Sequence, residues 1–153
     1  MLIKYTTESF NQTQKLGENY AKEILKINAK NNAVVFALQG DLGSGKTTFL
    51  QGFAKGLGIK EKILSPTFVI MKRFEIKNKD FNNFCHIDCY RIKDSKDILE
   101  LDFKKIISDQ KNIVAVEWPE KIRKILPKDI ISIDFKFIDK NKREIKLPFY
   151  STK

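Results

Sequence analysis

The sequence predicts an α/β fold in which a mixed sheet, with parallel and antiparallel strands, is flanked by helices and ends in a β-hairpin. Uninterrupted apolar runs at 33–38 and 113–116 are typical of buried strands. The polar link at 77–83 is too short for a parallel crossover, so it implies an antiparallel pair. Alternation of apolar and polar residues over 131–137, followed by a polar turn and a second strand at 143–147, predicts the terminal hairpin.

The N-terminal elements are predicted to be a short strand and a loosely amphipathic helix. The strand covers 2–5, and Thr6 or Thr7 is expected to cap the helix, with Glu8 in its first turn. The helix is expected to end near 31–32. Its apolar residues lie along one side: Phe10, Leu16, Tyr20, Ile24 and Ile27.

The most informative segment lies between a strand and a helix. Residues 40–47 read Gly-Asp-Leu-Gly-Ser-Gly-Lys-Thr, the pattern of a loop that wraps nucleotide phosphates. The apolar strand 33–38 precedes this loop, and a helix over 47–58 follows it, with Gly58 as its stop signal. Strand, loop and helix stand in the order that such a loop requires. We therefore expect a P-loop NTPase-like fold.

The residue types of this phosphate loop suit the chemistry of nucleotide binding. Glycines let backbone amides approach an anion, and the following helix adds its N-terminal dipole. Lys46 would meet the β- and γ-phosphates, and the Thr47 hydroxyl would ligate a bridging magnesium ion. The expected binding residues of the loop are Asp41, Leu42, Gly43, Ser44, Gly45, Lys46, Thr47 and Thr48. An ordinary glycine-rich turn is the alternative.

The remainder of the chain is predicted to alternate strands and helices. After a Ser65-Pro66 turn we expect strands at 67–76 and 84–90, a helix from Asp94 or Ser95 through Ile107, a strand at 112–117, a helix opened by Pro119, and hairpin strands at 131–137 and 143–147. The phosphate loop then lies at the end of a central strand, with helices packed around the sheet.

Two acids at strand ends are candidates for metal binding and catalysis, since a phosphate loop needs groups that hold magnesium and orient the attacking water. Asp88 lies near the end of one strand, and Glu117 closes another. Surface charges at strand termini are the alternative. Trp118 is by default a core or interface aromatic, with nucleotide or partner contact as the alternative. Thr67 either belongs to a turn or reaches the magnesium ion or γ-phosphate.

Cys85 and Cys89 flank His86, which invites a zinc-site interpretation. In a strand, the two cysteines share one face while His86 and Asp88 share the other. The thiols then cannot cluster with the histidine. Buried thiols that act as small apolar side chains are the favoured interpretation.

Length and composition limit the possible classes of function. A chain of 153 residues fits a single domain over 1–153 that builds its core without metal or disulfide. Its apolar runs are far shorter than the ~20 residues of a membrane span, and residues 1–5 lack the apolar h-region expected of a signal peptide. We therefore expect a soluble cytoplasmic protein without membrane contact.

The net charge of +10 suits an anionic partner such as RNA, but a solvated basic surface is the favoured interpretation.

Four motifs, taken together and in order, resemble a known family. They are Gly-Asp-Leu-Gly-Ser-Gly-Lys-Thr-Thr at 40–48, Ser-Pro-Thr-Phe at 65–68, His-x-Asp-x-Tyr-Arg at 86–91 and Val-Glu-Trp-Pro-Glu at 116–120. The combination resembles the TsaE (YjeE) ATPases of bacterial tRNA threonylcarbamoyladenosine synthesis over nearly the whole chain. This resemblance implies ATP hydrolysis with Mg²⁺, coupled to the TsaB and TsaD proteins that modify position 37 of tRNA. It implies contact with tRNA only through that complex, and no carbamoyl transfer by this chain itself.

The resemblance also implies the residues that carry the chemistry. Lys46 and the loop amides would hold phosphate, and Thr47 and Glu117 would ligate magnesium. Asp88 would support the metal or the attacking water and would be required for hydrolysis. The implied catalytic residues are therefore Lys46, Asp88 and Glu117, and the implied metal ligands are Thr47, Glu117 and Asp88.

Further nucleotide contacts are implied outside these residues. Thr67 would act as a switch-like threonine, and Trp118 would lie near the nucleotide. The segment 6–10 and Arg143 would also lie near it. The chain departs from the family pattern beside that arginine, because Lys142 stands where the pattern has glycine.

Three other functions remain open on the residues alone. A GTP-dependent regulatory switch should carry the guanine-reading Asn-Lys-x-Asp, to which residues 141–144, Asn-Lys-Arg-Glu, come closest. A small-molecule kinase would need a cationic lid, which the scattered arginines do not supply. An RNA-binding module is suggested only by the net charge.

Overall fold

A computed structural model describes residues 2–27, 31–64 and 70–148. In chain order the elements are β1 (Leu2–Thr7), α1 (Phe10–Ile24), β2 (Val34–Gln39), α2 (Lys46–Gly56), β3 (Met71–Glu75), β4 (Asn83–Asp88), α3 (Lys96–Leu99), α4 (Phe103–Ser108), β5 (Asn112–Glu117), a 3₁₀ helix (Pro119–Ile125), β6 (Ile131–Phe137) and β7 (Arg143–Pro148). The described residues divide into two compact units, 2–27 with 39–64 and 132–148, and 31–38 with 70–131. The single domain expected over 1–153 stays a prediction.

The first unit combines antiparallel strands with two helices. Its strands follow the order β1, β7, β6, and both neighbouring pairs are antiparallel. The pairing of β6 with β7 confirms the predicted terminal hairpin. Ile133, Phe135, Ile145 and Leu147 are all buried, as the alternating pattern requires.

Helix α1 begins later than predicted. Thr6 and Thr7 both belong to β1, and Thr7 Oγ1 lies 2.7 Å from Thr13 Oγ1, so neither threonine caps the helix. Ser9 is the N-cap, and its Oγ accepts a hydrogen bond from the Gln12 amide at 3.1 Å. The predicted cap was wrong because the threonine hydroxyl is used in a contact between the strand and the helix.

The end of α1 also differs from the prediction. The helix ends at Ile24 rather than near 31–32, and bonds of the i to i+3 type follow it, from Lys26 N to Glu23 O and from Ile27 N to Ile24 O. Phe10 is 58% exposed, so the predicted apolar side does not extend to the start of the helix. The buried residues of the helix are Thr13, Gly17, Tyr20, Ala21 and Ile24.

Glycines allow α1 and α2 to approach closely. A methyl group on Gly17 would overlap the Phe49 carbonyl oxygen, and one on Gly52 would overlap the Gln14 carbonyl oxygen. Side chains at these positions would push the helices apart. Because α2 begins at Lys46, this contact supports the helix that directly follows the phosphate loop.

The second unit is built around parallel strands. Its strands follow the order β2, β5, β4, β3. The pairs β2–β5 and β4–β5 are parallel, whereas β3–β4 is antiparallel, as the short link 77–83 predicts. The carboxyl ends of β2, β5 and β4 therefore point to the same edge.

These pairings confirm the predicted fold class, a mixed parallel and antiparallel α/β fold with flanking helices. Among the helices within the described ranges, none is long and apolar enough to cross a membrane. The strand predicted at 67–76 is seen as β3, while 67–69 lie outside the described residues.

Two elements of the second unit differ from their predicted extents. Strand β4 ends at Asp88 instead of continuing to residue 90, because the Asp88 carboxylate accepts a hydrogen bond from the Tyr90 amide at 2.9 Å and closes a turn. The helix predicted through Ile107 is two short helices, α3 and α4, and between them Asp102 has a φ of 59°. That left-handed residue interrupts the helix.

The two cysteines behave as apolar core residues. Cys85 and Cys89 are unpaired thiols in one buried cluster with Ile87 of the same face. Burial raises the pKa of the Cys89 thiol to about 12, and burial also raises the pKa of Cys85. Protonated thiols are poor metal ligands. The buried-thiol interpretation is confirmed, and the zinc interpretation is disfavoured.

Candidate functional site

The phosphate loop (residues 40–47) has a backbone that depends on its glycines. Gly40, Gly43 and Gly45 have φ values of 153°, 79° and 102°, which residues with side chains rarely adopt. Gly45 is the N-cap of α2, and no side chain caps this helix. The amides of the first helical turn are therefore suited to bind an anion.

Two polar side chains of the loop are buried. Lys46 is 5% exposed, and its ammonium donates a hydrogen bond to the Gly40 carbonyl oxygen. Ser44 Oγ is buried as well, and within the described residues it has no hydrogen-bond partner. Because an unpartnered buried hydroxyl is unfavourable, a phosphate oxygen would satisfy a donor that the protein leaves unused. The loop therefore fits a bound phosphate.

The remaining residues of the loop are more exposed than Ser44 and Lys46. Asp41, Leu42 and Gly43 are exposed, and among the large apolar residues that the structure describes Leu42 is the most exposed, at 75%. Thr47 and Thr48 are half-buried in the first turn of α2. Thr67 lies outside the described residues.

Arg143 is brought to the loop by the β6–β7 hairpin. Its Nε donates a hydrogen bond to the Gly43 carbonyl oxygen at 3.1 Å, and its Nη1 donates to the Asp139 carbonyl oxygen at 2.6 Å. Its guanidinium carbon lies 4.6 Å from the centre of the Phe137 ring. The arginine thus ties the hairpin turn to the phosphate loop. Its implied contact with the nucleotide stays a prediction.

The hairpin turn does not need glycine at Lys142. The Asp139 carboxylate accepts hydrogen bonds from the Asn141 and Lys142 amides at 2.9 Å each, and these bonds lower the pKa of Asp139. Over the described part of the chain, only Asp102 and Trp118 are non-glycine residues with positive φ. The departure from the family pattern at Lys142 therefore causes no backbone strain.

Helix α1 also reaches the phosphate loop. The Thr13 methyl group lies 3.7 Å from the point where a Cβ on Gly45 would stand, and the Arg143 side chain lies 3.6 Å from the same point. The hydroxyl pair Thr7 and Thr13 holds β1 to α1 beside this contact. The family resemblance implied that residues 6–10 lie near the nucleotide, and it did not include Thr13. The only sequence signal for Thr13 was its position in the predicted helix that follows this segment.

The two predicted acids lie side by side at strand ends. Asp88 of β4 is paired in register with Glu117 of β5, and Glu117 is paired with Leu38 of β2. Leu38 stands two residues before the first glycine of the loop. Glu117 is only 3% exposed, whereas Asp88 is half-buried. The sheet register thus brings both acids to the carboxyl ends of neighbouring strands in the second unit.

Glu117 has a buried partner that the sequence prediction missed. His86 Nε2 lies 2.6 Å from Glu117 Oε2, and His86 is 1% exposed. The signal was present: His86 and Asp88 share one face of β4, and Glu117 ends another strand. What the sequence lacked was the register that puts the two strands side by side.

Trp118 follows Glu117 in a left-handed conformation, with a φ of 57°. Its ring centre lies 5.1 Å from that of Tyr90, and it packs, partly buried, on the apolar cluster of the second unit. This agrees with the default interpretation of a packed aromatic. Tyr90 is 49% exposed, so the pair reaches the surface beside the acids.

The donor set at the acids suits magnesium better than zinc. Within the described ranges, no group of three or more His, Cys, Asp or Glu side chains could hold a metal ion by itself. Magnesium is commonly bound by one or two carboxylates together with phosphate oxygens and water. The paired carboxylates of Asp88 and Glu117 fit that kind of binding.

Comparisons with known proteins agree on one family. The sequence model described as threonylcarbamoyl adenosine biosynthesis protein TsaE matches residues 7–145. A Rickettsia typhi protein named tRNA threonylcarbamoyladenosine biosynthesis protein TsaE is 37% identical over 132 residues, which are 86% of this chain and 87% of that protein. The protein of the same name from Aquifex aeolicus is 35% identical over 149 residues, 96% of each chain.

The fold is also found in a solved structure. The crystal structure of YdiB from Bacillus subtilis matches 96% of this chain and 84% of its own, with a TM-score of 0.65 and 28% identity. Since the family model spans 7–145 and the relatives match over most of both chains, the agreement is not confined to the phosphate loop. The chain therefore belongs to the TsaE family of threonylcarbamoyl adenosine biosynthesis proteins.

Proposed function

We propose that this chain is the ATP-binding and ATP-hydrolysing component of the machinery that installs N6-threonylcarbamoyladenosine at position 37 of tRNA. It would act in the cytoplasm with TsaB and TsaD and meet tRNA only through that complex. The observation that carries the proposal is the phosphate loop, in which glycines at positive φ lead into an uncapped helix start beside the buried Lys46. Membership of the TsaE family supplies the pathway.

In this proposal the loop binds the phosphates of ATP. The amides that begin α2 and the Lys46 ammonium offset the phosphate charge, and Lys46 exchanges the Gly40 carbonyl for a phosphate oxygen. The Ser44 hydroxyl gains the partner it lacks. Further nucleotide contacts are proposed for Asp41, Leu42, Gly43, Gly45, Thr47, Thr48, Thr67, Trp118 and Arg143.

Thr47, Glu117 and Asp88 are the proposed magnesium ligands. A bound Mg²⁺ would offset the charge of the β- and γ-phosphate oxygens. Thr47 offers a hydroxyl, and Glu117 offers a carboxylate that is already held in place by a hydrogen bond. Oxygen donors of these types are the ones that magnesium prefers.

The proposed reaction is hydrolysis of the terminal phosphate. Water attacks the γ-phosphorus, the bond to the oxygen that bridges to the β-phosphate breaks, and ADP and phosphate leave. Asp88 would orient the water and accept its proton, because its carboxylate is half-buried beside Glu117. Carbamoyl transfer belongs to the partners.

The Lys46→Ala variant tests nucleotide binding and turnover. Loss of a preorganised cation is expected to lower turnover by about 100-fold or more. Lys55→Ala is the matched control, because Lys55 is an exposed lysine of the same helix. Calorimetric binding of an ATP analogue and phosphate release are measured, with circular dichroism to check the fold. Equal ATP turnover in Lys46→Ala and Lys55→Ala would contradict the proposal.

Purified TsaB and TsaD test the coupling. ATP hydrolysis by the unaltered chain should rise when both partners are added and should stay unchanged with either buffer or an unrelated protein. Competition between ATP and GTP is measured on the same samples. Preference for GTP would favour a regulatory switch, and lack of stimulation would contradict the coupling.

A further inference from the structure

We propose that His86 is a positioning residue that orients the Glu117 carboxylate for magnesium binding. The inference rests on the proposed nucleotide hydrolysis, because Glu117 is a metal ligand only in that proposal. His86 itself is not expected to touch the nucleotide or the metal. Its role is to hold Glu117 in one orientation before the metal arrives.

The geometry of the pair carries the inference. His86 Nε2 and Glu117 Oε2 lie 2.6 Å apart, with 1% and 3% of the side chains exposed. The two residues are not directly opposite each other, since His86 is paired with Ala115 and Asp88 with Glu117. The imidazole therefore reaches along the sheet, across two register positions, to meet the carboxylate at the strand end.

The chemistry of a carboxylate explains what this contact does. A carboxylate that binds a metal is ionised and only accepts hydrogen bonds, so in the proposed metal complex the His86 Nε2 atom carries the hydrogen and donates it to Glu117 Oε2. With Oε2 engaged, Oε1 is the oxygen left for the proposed metal. A carboxylate held in this way loses less rotational freedom when it binds a cation. Partners that hold a metal ligand commonly contribute about 10- to 100-fold in metal affinity.

A purely structural pair is the competing explanation, and it makes a different prediction. If His86 only satisfies a buried carboxylate, its ring should be insensitive to magnesium. If His86 positions a metal ligand, its ring should respond when the metal binds. A readout of the ring itself therefore separates the two explanations.

The unaltered chain allows this measurement directly, because it has only one histidine. In a ¹⁵N-labelled sample the ring nitrogens of His86 give signals that no other side chain can produce. A nonhydrolysable ATP analogue is added first without metal, and Mg²⁺ is then titrated into the complex. We expect the Nε2 signal to shift with Mg²⁺ along the same curve as metal binding. A ring signal that ignores Mg²⁺ while the metal binds overturns the inference.

Two variants test the hydrogen bond. His86→Gln keeps an N–H donor near the position of Nε2, whereas His86→Leu keeps an apolar volume and removes the donor. Affinity for Mn²⁺ in the analogue complex is measured by electron paramagnetic resonance. We expect His86→Leu to lose about 10- to 100-fold in Mn²⁺ affinity and His86→Gln to retain most of it. Affinity for the metal-free analogue should be equal in all three proteins.

The outcomes separate this inference from the function on which it rests. If the unaltered chain binds neither the analogue nor Mn²⁺, the proposed function fails and this inference fails with it. If the unaltered chain binds both and His86→Leu binds Mn²⁺ equally well, only the role of His86 is overturned. If His86→Leu does not fold, the ring titration of the unaltered chain decides.

Discussion

The phosphate loop and the acidic strand ends are assembled over very different distances along the chain. The loop is built from eight consecutive residues, and its shape follows from glycines at positive φ. The acidic site needs β4 and β5, and its central contact joins residues that are 31 positions apart. A local feature can be read from residue spacing, whereas a contact between strands requires their register.

The two regions also differ in how they hold their charges. In the loop, the cations Lys46 and Arg143 donate to carbonyl oxygens of the loop itself. At the strand ends, the Glu117 carboxylate is buried against His86. In the proposed function the loop binds an anion and the strand ends bind a cation. Substitutions in the loop should therefore impair nucleotide binding, whereas substitutions at the strand ends should impair metal-dependent hydrolysis.

The largest expected effect separates metal-dependent chemistry from phosphate binding. Glu117→Gln should lower ATP turnover by about 100-fold or more, because loss of a proposed metal ligand weakens the charge stabilisation of the transferred phosphoryl group. It should leave affinity for the metal-free analogue unchanged, because Glu117 takes no part in the loop. Phosphate release and calorimetry measure the two quantities.

Lys46→Ala is the comparison variant for that experiment. It should lower both ATP turnover and the affinity for the metal-free analogue. If Glu117→Gln weakened metal-free binding as much as Lys46→Ala does, the two regions would not have separate roles.

The next effect tests the close packing of α1 against α2, the helix that begins at the phosphate loop. Gly52→Ala places a methyl group into the Gln14 carbonyl oxygen and should destabilise the chain by about 1–3 kcal/mol. Lys55→Ala, an exposed change in the same helix, should stay within about 0.5 kcal/mol. Urea unfolding measures both free energies. If both variants unfold with the same free energy, the helices can move apart without loss of stability, and the packing argument is wrong.

The smallest effect concerns the tie between the hairpin and the loop. Arg143→Ala removes the hydrogen bond to the Gly43 carbonyl, worth about 0.5–1.5 kcal/mol, so analogue affinity should fall by about twofold to twelvefold. Lys146→Ala is the control, an exposed cation of the same strand. Calorimetric titrations compare the two. Unchanged affinity for Arg143→Ala would mean that the loop keeps its shape without the hairpin.

Much of the fold follows from patterns that are short in sequence. The alternating residues of the terminal hairpin and the apolar run of β2 predicted those strands, and the structure agrees. Errors arose where a side chain or a single backbone conformation overrode the pattern. Asp102 divides a predicted helix, and the contact of Thr7 with Thr13 transfers the helix cap to Ser9. Neither effect changes hydrophobic periodicity, so the pattern contains no sign of it.

By itself, the sequence determined the phosphate loop, the candidate acids and the class of fold. Glycine spacing, strand runs and turn residues act over a few neighbouring positions, which is why they can be read in order. Only the tertiary structure decided that His86 holds Glu117 and that Arg143 holds the Gly43 carbonyl. Those contacts depend on strand register and on the path of a hairpin. Both are set by the packing of the whole sheet rather than by neighbouring residues.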